Sequence, residues 1–396
     1  MGLDKTKIAV IGAGIGGLAA AQALARRGAD VTVLEQSPEI AEVGAGLQIS
    51  PNGARVLDAL GLGQELRQRA VSAQAVQLCD YRGGEILRLD LSETGQGGYH
   101  FLHRADLIDI LAEGARSAGV RIRLLQRITG VAAGARPRVD LASGAGFDAD
   151  LVIGADGLHS VVRAALNGPR MPFFTGQVAW RALVPNSPGR GAEVRVHMGP
   201  MRHVVSYPIR GGDRLNLVAV QERAAWTAES WSQTDDPQAL RAAFGDFCGE
   251  VQEMLGAVGS VNLWGLFRHE VARAWHGEGV AILGDAAHPT LPFMAQGACL
   301  ALEDGWILAA ALDAAGDIGS GLARYQALRE HRARRVVAAA SGNAWKYHLS
   351  FPPLRWAAHT ALRAGGRLAP DRLIRQFDWI YGYNAIDAAG RAVNDG

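Results

Sequence analysis

The run Gly12-Ala13-Gly14-Ile15-Gly16-Gly17 fits the spacing G-x-G-x-x-G, directly after the apolar stretch Ile8–Ile11 and at the opening of a helical pattern. Each glycine has its own reason. Gly12 allows the tight turn, Gly14 lets backbone approach a pyrophosphate, and Gly17 permits close helix–strand packing. The helix start then offers unpaired N–H groups and partial positive charge to phosphates. Glu35 ends the second strand, where a carboxylate can accept the hydroxyls of an adenosine ribose and would repel a 2′-phosphate. With strand, helix and Glu35 in register, a glycine turn that binds nothing is the weaker reading. This pattern alone does not separate FAD from NAD.

Two later segments do. One is Asp150-Leu-Val-Ile-Gly-Ala-Asp156-Gly157-Leu-His-Ser160-Val-Val-Arg163. The other is Gly284-Asp285-Ala286-Ala287-His288-Pro289, closing in Gln296-Gly297-Ala298 and followed by Glu303-Asp304. In order and spacing the three motifs resemble the single-component (group A) flavin-dependent aromatic hydroxylases, the family of p-hydroxybenzoate, salicylate and 6-hydroxynicotinate hydroxylases. The resemblance spans almost the whole chain. It implies that Asp156-Gly157 contacts FAD and influences NAD(P)H binding, that Asp285 holds the ribityl and pyrophosphate region, and that Arg104 in His103-Arg-Ala-Asp-Leu107 lies along the pyrophosphate. It implies that Pro292 lines the region where a flavin C4a-hydroperoxide forms and that NADH or NADPH is a transient co-substrate. The partners expected are a small aromatic substrate and O2.

Elementary chemistry supports the second segment independently. A strand ending in Gly-Asp puts Asp285 beside the first pyrophosphate site. The next helix begins near Gly297, so the N–H groups of Gly297 and Ala298 would meet the negative N1–C2=O edge of a reduced flavin. A helix cap or turn is the plain alternative for Asp285. His288, before a proline at a strand end, reads as a hydrogen-bonded structural histidine rather than a base.

His203 and Tyr207 stand four apart in His203-Val-Val-Ser-Tyr207, so both rings share one face of a strand. Related hydroxylases carry a His and Tyr at this spacing facing the substrate, and a near-neutral imidazole can take a phenolic proton. Two rings merely packed on a sheet are the alternative. Phe293 is apolar where related enzymes often have a polar residue or His, which suggests a different substrate edge. Any of Arg181, Arg195, Arg202 and Arg214 is a candidate anchor for a carboxylate. Trp180-Arg-Ala-Leu-Val-Pro185 partly matches a halogenase motif, but Ala182 stands where its second tryptophan belongs.

The elements that must position these groups follow from periodicity. Ile8–Ile11, the small-residue helix after Leu18 and Val31–Leu34 make a βαβ unit, hence a parallel buried sheet. Gly28 stops that helix. A loop at Glu42–Gly46 and a helix from Pro51 to Ala59 ended by Gly61 follow. Arg104–Leu111 is helical, and Leu151–Ile153 closes a set of short strands. Val178–Leu183, Glu193–His197, His203–Ile209 and Leu215–Val220 read as an antiparallel sheet. Gln238–Phe247 and Ala298–Leu312 read as helices, Val280 onward as a buried strand. The helical tail from Leu322 carries Arg329, Arg332, Arg334 and Arg335, read as a solvated face.

The expected fold class is α/β: a GxGxxG-type, p-hydroxybenzoate hydroxylase-like FAD-binding domain, an inserted antiparallel-sheet substrate domain and C-terminal helices. The expected divisions are 1–172 and 269–345 for the FAD-binding domain, 173–268 for the substrate domain and 346–396 for the C-terminal helices. The chain of 396 residues is long enough for two cores. Lys plus Arg number 40 against 39 for Asp plus Glu, a net charge of +1 that argues against nucleic acid or anionic membrane as partner. Cys79, Cys248 and Cys299 lack metal-ligand spacing, so no metal site and a reducing cytoplasm are expected. Glycine, 50 residues or roughly 13% against about 7% in average usage, reflects turns and close backbone approach. Met1-Gly2 with Thr6 formally fits an N-myristoylation pattern, but the strand at Ile8 leaves no free arm. A monomer or homodimer is expected. The function these readings imply is an FAD-dependent, NAD(P)H-consuming hydroxylase of a small aromatic or pyridine acid or phenol. The alternatives are flavin epoxidation or Baeyer–Villiger chemistry, and an NAD-dependent dehydrogenase. The single dinucleotide fingerprint disfavours the Baeyer–Villiger enzymes, which carry two, and a dehydrogenase would leave Gly284-Asp285 without a role.

Overall fold

The computed structural model describes residues 3–40, 45–91, 98–169, 171–187, 189–224 and 233–394. Met1, Gly2 and the first part of the Glu42–Gly46 loop lie outside these. A six-stranded sheet runs in the order His276–Gly277, Val280–Ile282, Leu151–Gly154, Lys7–Ile11, Asp30–Leu34, Arg121–Arg123. It is parallel except at the His276–Gly277 edge. Near-continuous apolar strands suit a sheet covered on both faces, and Ile8, Val10, Val31, Val33, Val152 and Ile153 are all buried. Helix Ile15–Ala25 lies against helix Gly297–Asp313 at a crossing only small residues allow: a Cβ on Gly305 would stand 2.7 Å from the Ala20 nitrogen.

The second sheet has eight strands, in the order Thr234–Asp235, Val261–Arg268, Phe173–Pro185, Arg214–Glu222, Arg202–Ile209, Glu193–Gly199, Ala75–Asp80, Glu85–Asp90. It is antiparallel except where Ala75–Asp80 runs parallel to Glu193–Gly199. The hairpin 75–90 therefore completes this sheet, although its sequence position falls within the first expected division. From Val178 onward, past a register shift, strand Phe173–Pro185 alternates between two faces. Val178, Trp180, Ala182 and Val184 point to the back, where Trp180 meets Phe244 beneath helices Pro237–Ala243 and Gly249–Gly256. Emptying the Trp180 site would cost about 3–5 kcal/mol. Ala179 and its neighbours point to the front, toward Leu291 and Phe293.

C-terminal helices Pro352–Leu368, Pro370–Arg375 and Asp378–Tyr381 follow the long helix Ile318–Asn343. Their Leu362, Leu373, Ile374 and Tyr381 cover the apolar cluster on the outer strands that holds Ile86, Val196 and Tyr207. In the Arg-rich segment Arg334 and Arg335 are exposed, as a solvated face requires, but Arg329 and Arg332 are not. Arg329 is fully buried and Arg332 nearly so, because helix Gly297–Asp313 presents Glu303 and Asp304 to them.

Candidate functional site

Two of the three fingerprint glycines are demanded by the fold itself. Gly12 stands at φ +101 and a Cβ there would meet the Ala155 carbonyl oxygen at 2.5 Å; on Gly17 it would meet the Gly12 carbonyl oxygen at 2.1 Å. Gly14 is different. It precedes the first turn of helix Ile15–Ala25, and a Cβ on it would meet no protein atom within 4 Å. The open space above Gly14, at a helix N-terminus, is the cradle a pyrophosphate requires. Glu35 stands at its rim, accepting hydrogen bonds from Ala13 N at 2.7 Å and Ser37 N at 2.8 Å. A carboxylate has lone pairs beyond those two, so it can still accept ribose hydroxyls.

Across this loop, Asp156 caps a helix. Its carboxylate accepts from the Ser160 hydroxyl at 2.5 Å and from Val161 N at 2.8 Å, at the start of Val161–Asn167. Burial raises its pKa against those bonds. The same motif's Arg163 donates to the carbonyl of Ala286, beside Asp285. Asp285 is exposed; desolvation by the surrounding protein raises its pKa, and the Arg104 charge opposes the rise. Arg104 opens helix Arg104–Ser117. Gly297 opens its own helix with no protein atom within 4 Å of a would-be Cβ, Ala298 following half-buried. Pro292 begins the one-turn helix Pro292–Met294, and Ala295 after it takes the left-handed φ of +52. That strained turn marks where the chain reverses to aim the Gly297 helix.

The segment 284–298 is anchored from behind by buried charge. Asp304 accepts from Gly284 N at 3.0 Å and lies 2.5 Å from His288 Nε2, so His288 is the structural histidine its sequence context suggests. Arg329 bonds Asp304 at 2.7 Å and Glu303 at 2.7 Å; Arg332 grips Glu303 through two nitrogens. Asn52 links Glu303 to Gln296, the residue before Gly297. Burial alone would raise both carboxyls, but the guanidiniums, with His288 at Asp304, hold them below the ordinary range.

The front of the eight-stranded sheet supplies the second wall, in three rows of directly opposed residues: His203, Val220, Ala179 and Trp264; Val205, Val218, Arg181 and Asn262; Tyr207, Asn216 and Leu183. His203 and Tyr207 thus share a face, as their spacing requires. His203 is buried, its ring centroid 6.1 Å from that of Phe293 and 5.2 Å from that of Tyr347. Burial, then the neighbouring His348, pulls its pKa well below the usual histidine value, so it is neutral. Burial pushes the Tyr207 pKa well up, against the lowering influence of the Arg181 charge. Both therefore meet a ligand uncharged, one able to accept a proton and one able to donate a hydrogen bond.

Of the four arginines, Arg181 differs from the rest. Arg195 is paired with Glu250 at 2.6 Å and Arg202 with Asp246 at 2.8 Å, while Arg214 is exposed. Arg181 lies 4.2 Å over the Trp264 ring with no carboxylate partner among the described residues, and its Nε has no acceptor. Burial pulls it down to about 10, still a cation at neutral pH. Nearby, Asn216 accepts from Gly46 N at 2.7 Å but leaves its buried amide nitrogen unbonded. Two buried donors without acceptors on one face call for an acceptor-rich ligand.

A cradle with room for a pyrophosphate, a second aspartate turn and an opposing polar sheet define the class: the family model described as FAD binding domain matches residues 5–340, and the chain belongs to that family and uses FAD. Its relatives are specific. It is 35% identical over 403 residues to 3-amino-4-hydroxybenzoate 2-monooxygenase PtmB3 of Streptomyces platensis, covering 98% of each chain. It is 34% identical to the 3-hydroxybenzoate 6-hydroxylase of Polaromonas naphthalenivorans, covering 95% of this chain and 96% of that one. Klebsiella pneumoniae HpxO complexed with FAD and uric acid superposes with a TM-score of 0.83 at 28% identity, over 94% of this chain and 95% of that one.

Proposed function

We propose that this protein is an FAD-dependent monooxygenase that hydroxylates a benzoate-type aromatic acid bearing a ring hydroxyl, with NADH or NADPH as reductant and O2 as co-substrate. The single observation that carries the reading is the sheet wall. It combines a neutral buried imidazole, a phenol and an unpaired guanidinium on one face, opposite the Pro292–Phe293 turn. The relatives that act on hydroxybenzoates along the full chain support the substrate class.

FAD would be held through its adenosine and pyrophosphate half by Gly12, Gly14, Gly17 and Glu35. Arg104 and Asp285 would hold the pyrophosphate and ribityl chain, and the N–H groups of Gly297 and Ala298 would face the ring. Asp156 contributes by fixing the helix whose Arg163 braces the Asp285 turn. When bound, FAD would supply the electron-transfer and O2 chemistry of a ring hydroxylation. The protein's own groups do the rest. Arg181 receives the carboxylate of the substrate, replacing a missing counter-charge. Tyr207 and Asn216 donate hydrogen bonds that orient the ring. His203 takes the ring hydroxyl's proton, which raises electron density at the carbon to be attacked. Pro292, Leu291 and Phe293 exclude water from that carbon.

The test is a panel of hydroxylated benzoates and pyridine acids, each scored for stimulated NAD(P)H oxidation and for product mass. A benzoate that stimulates oxidation and gains one oxygen supports the assignment, and Arg181→Met should then raise its KM. A panel in which no compound does both overturns it.

A further inference from the structure

Behind His203 stand two groups that the reading above leaves unused. Nδ1 of His203 is 2.7 Å from Nε2 of His348, and Nδ1 of His348 is 2.8 Å from Oε1 of Glu222. Both imidazoles are buried, whereas Glu222 keeps 35% of its side chain open to water. The three come from two strands and the segment after Ala344–Tyr347, yet one turn residue ties them together. Met201 donates its N–H to the His348 carbonyl at 3.2 Å, and its own carbonyl accepts from Glu222 N at 2.9 Å. Met201 holds φ +60, a left-handed conformation rare for a side chain of its kind and maintained here by those bonds.

The carboxylate dictates the tautomers along this line. Ionised Glu222 only accepts, so His348 donates from Nδ1 and its Nε2 is bare. His203 then donates from Nδ1, and its own Nε2 is bare. Nε2 of His203 is also the ring nitrogen with no partner among the described residues. The same arrangement that makes His203 a base gives its proton somewhere to go.

We propose that His348 and Glu222 form the exit for the proton that His203 removes from the substrate, a proposal that rests on the reading of His203 as base. The phenolic O–H breaks and its proton bonds to His203 Nε2. The Nδ1 proton of His203 passes to His348 Nε2, and the Nδ1 proton of His348 passes to the Glu222 carboxylate, which meets water. One proton moves from ring hydroxyl to surface, a phenolate remains, and nothing is oxidised or reduced. Without the relay the proton would stay on a buried imidazole beside a second one, where positive charge is disfavoured. His348 and Glu222 touch no substrate and are positioning residues.

The experiment mixes holoenzyme rapidly with 4-hydroxy-3-nitrobenzoate, whose phenolate is yellow, at a pH where the free probe is mostly the phenol, and follows the growth of the phenolate band. Difference spectra are compared for wild type, His203→Ala, His348→Phe and Glu222→Gln. Glu222→Gln keeps the size of a half-exposed side chain and serves as the variant whose folding is not at issue. The relay predicts that wild type binds the probe as phenolate. Glu222→Gln and His348→Phe should keep FAD content, probe affinity and the final phenolate band but form that band about tenfold more slowly. Unslowed band formation in both, with the band lost only in His203→Ala, would overturn the relay while leaving the base. A band retained in His203→Ala would overturn both.

Discussion

Gly14 and Gly17 are three residues apart and make opposite predictions. A side chain at Gly17 collides with the Gly12 carbonyl, so Gly17→Ala should lower the melting temperature of the apoprotein whatever it does to the cofactor. A side chain at Gly14 meets no protein atom, and its φ of −75 suits any residue. Gly14→Val should therefore fold with an unchanged apoprotein melting temperature and yet bind FAD at least about tenfold more weakly, a loss above ~1.4 kcal/mol. A Gly14→Val protein with wild-type FAD content would show that the space above this turn belongs to nothing. At the second wall, His203→Ala should still bind FAD and be reduced, while product formation falls on the order of 10²–10⁴-fold and hydrogen peroxide appears in its place. Full coupling in that variant would return His203 to a ring packed on a sheet. The fingerprint, the Asp285 turn and the His203–Tyr207 pair are legible in the sequence because each is a local pattern whose geometry follows from strand or turn period. Glu222 and His348 are not: no local spacing joins them, and only folding brings the C-terminal segment to the Met201 turn.

At the scale of elements, the helix Ile318–Asn343 shows how a periodic signal is misjudged. Leu322, Tyr325, Arg329, Ala333, Val336 and Ala340 are buried and recur at three- to four-residue intervals, one stripe of a 3.6-residue helix. Arg329 occupies a core position of that stripe. Its register, rather than the count of arginines, is the signal that it is not a surface charge. The ion-pair cluster it makes anchors the Gly284–Ala298 segment from behind. Arg329→Met leaves Glu303 and Asp304 with one cation fewer and should cost about 3–5 kcal/mol, read as a lower denaturation midpoint. The two carboxyls are held below their unfolded pKa, so in acid the unfolded chain binds more protons. Their stabilisation is complete above the ordinary carboxylate range and is lost as pH falls toward the depressed folded values. Arg329→Met weakens that depression, so its acid-unfolding midpoint should move to higher pH than wild type. An unmoved midpoint would show that the cluster does not set acid stability. The place of the hairpin 75–90 is not legible in the sequence for a different reason: its pairing to Glu193–Gly199 is parallel and long-range, and a strand's partner is not written in its own alternation.

Across the whole molecule, the proposed function makes the parallel sheet and its covering helices the cofactor cradle and the eight-stranded sheet the substrate wall. The turn at Pro292–Phe293 is the point where the first meets the second. Neither part holds the chemistry alone. Gly14, Asp285 and Gly297 belong to the first, Arg181, Tyr207 and His203 to the second, and the C-terminal segment supplies His348 beside His203. Among the described residues no helix is long and apolar enough to cross a membrane. The central claim is that these surfaces meet to insert one atom of O2 into an aromatic ring. Its most direct test is turnover under oxygen-18 gas, with NAD(P)H and the benzoate that best stimulates reductant consumption, followed by product mass. The account predicts a product heavier by a single labelled oxygen, formed by wild type and nearly absent with His203→Ala. Reductant consumed to peroxide alone with every member of the panel, or a product whose new oxygen carries no label, would contradict it.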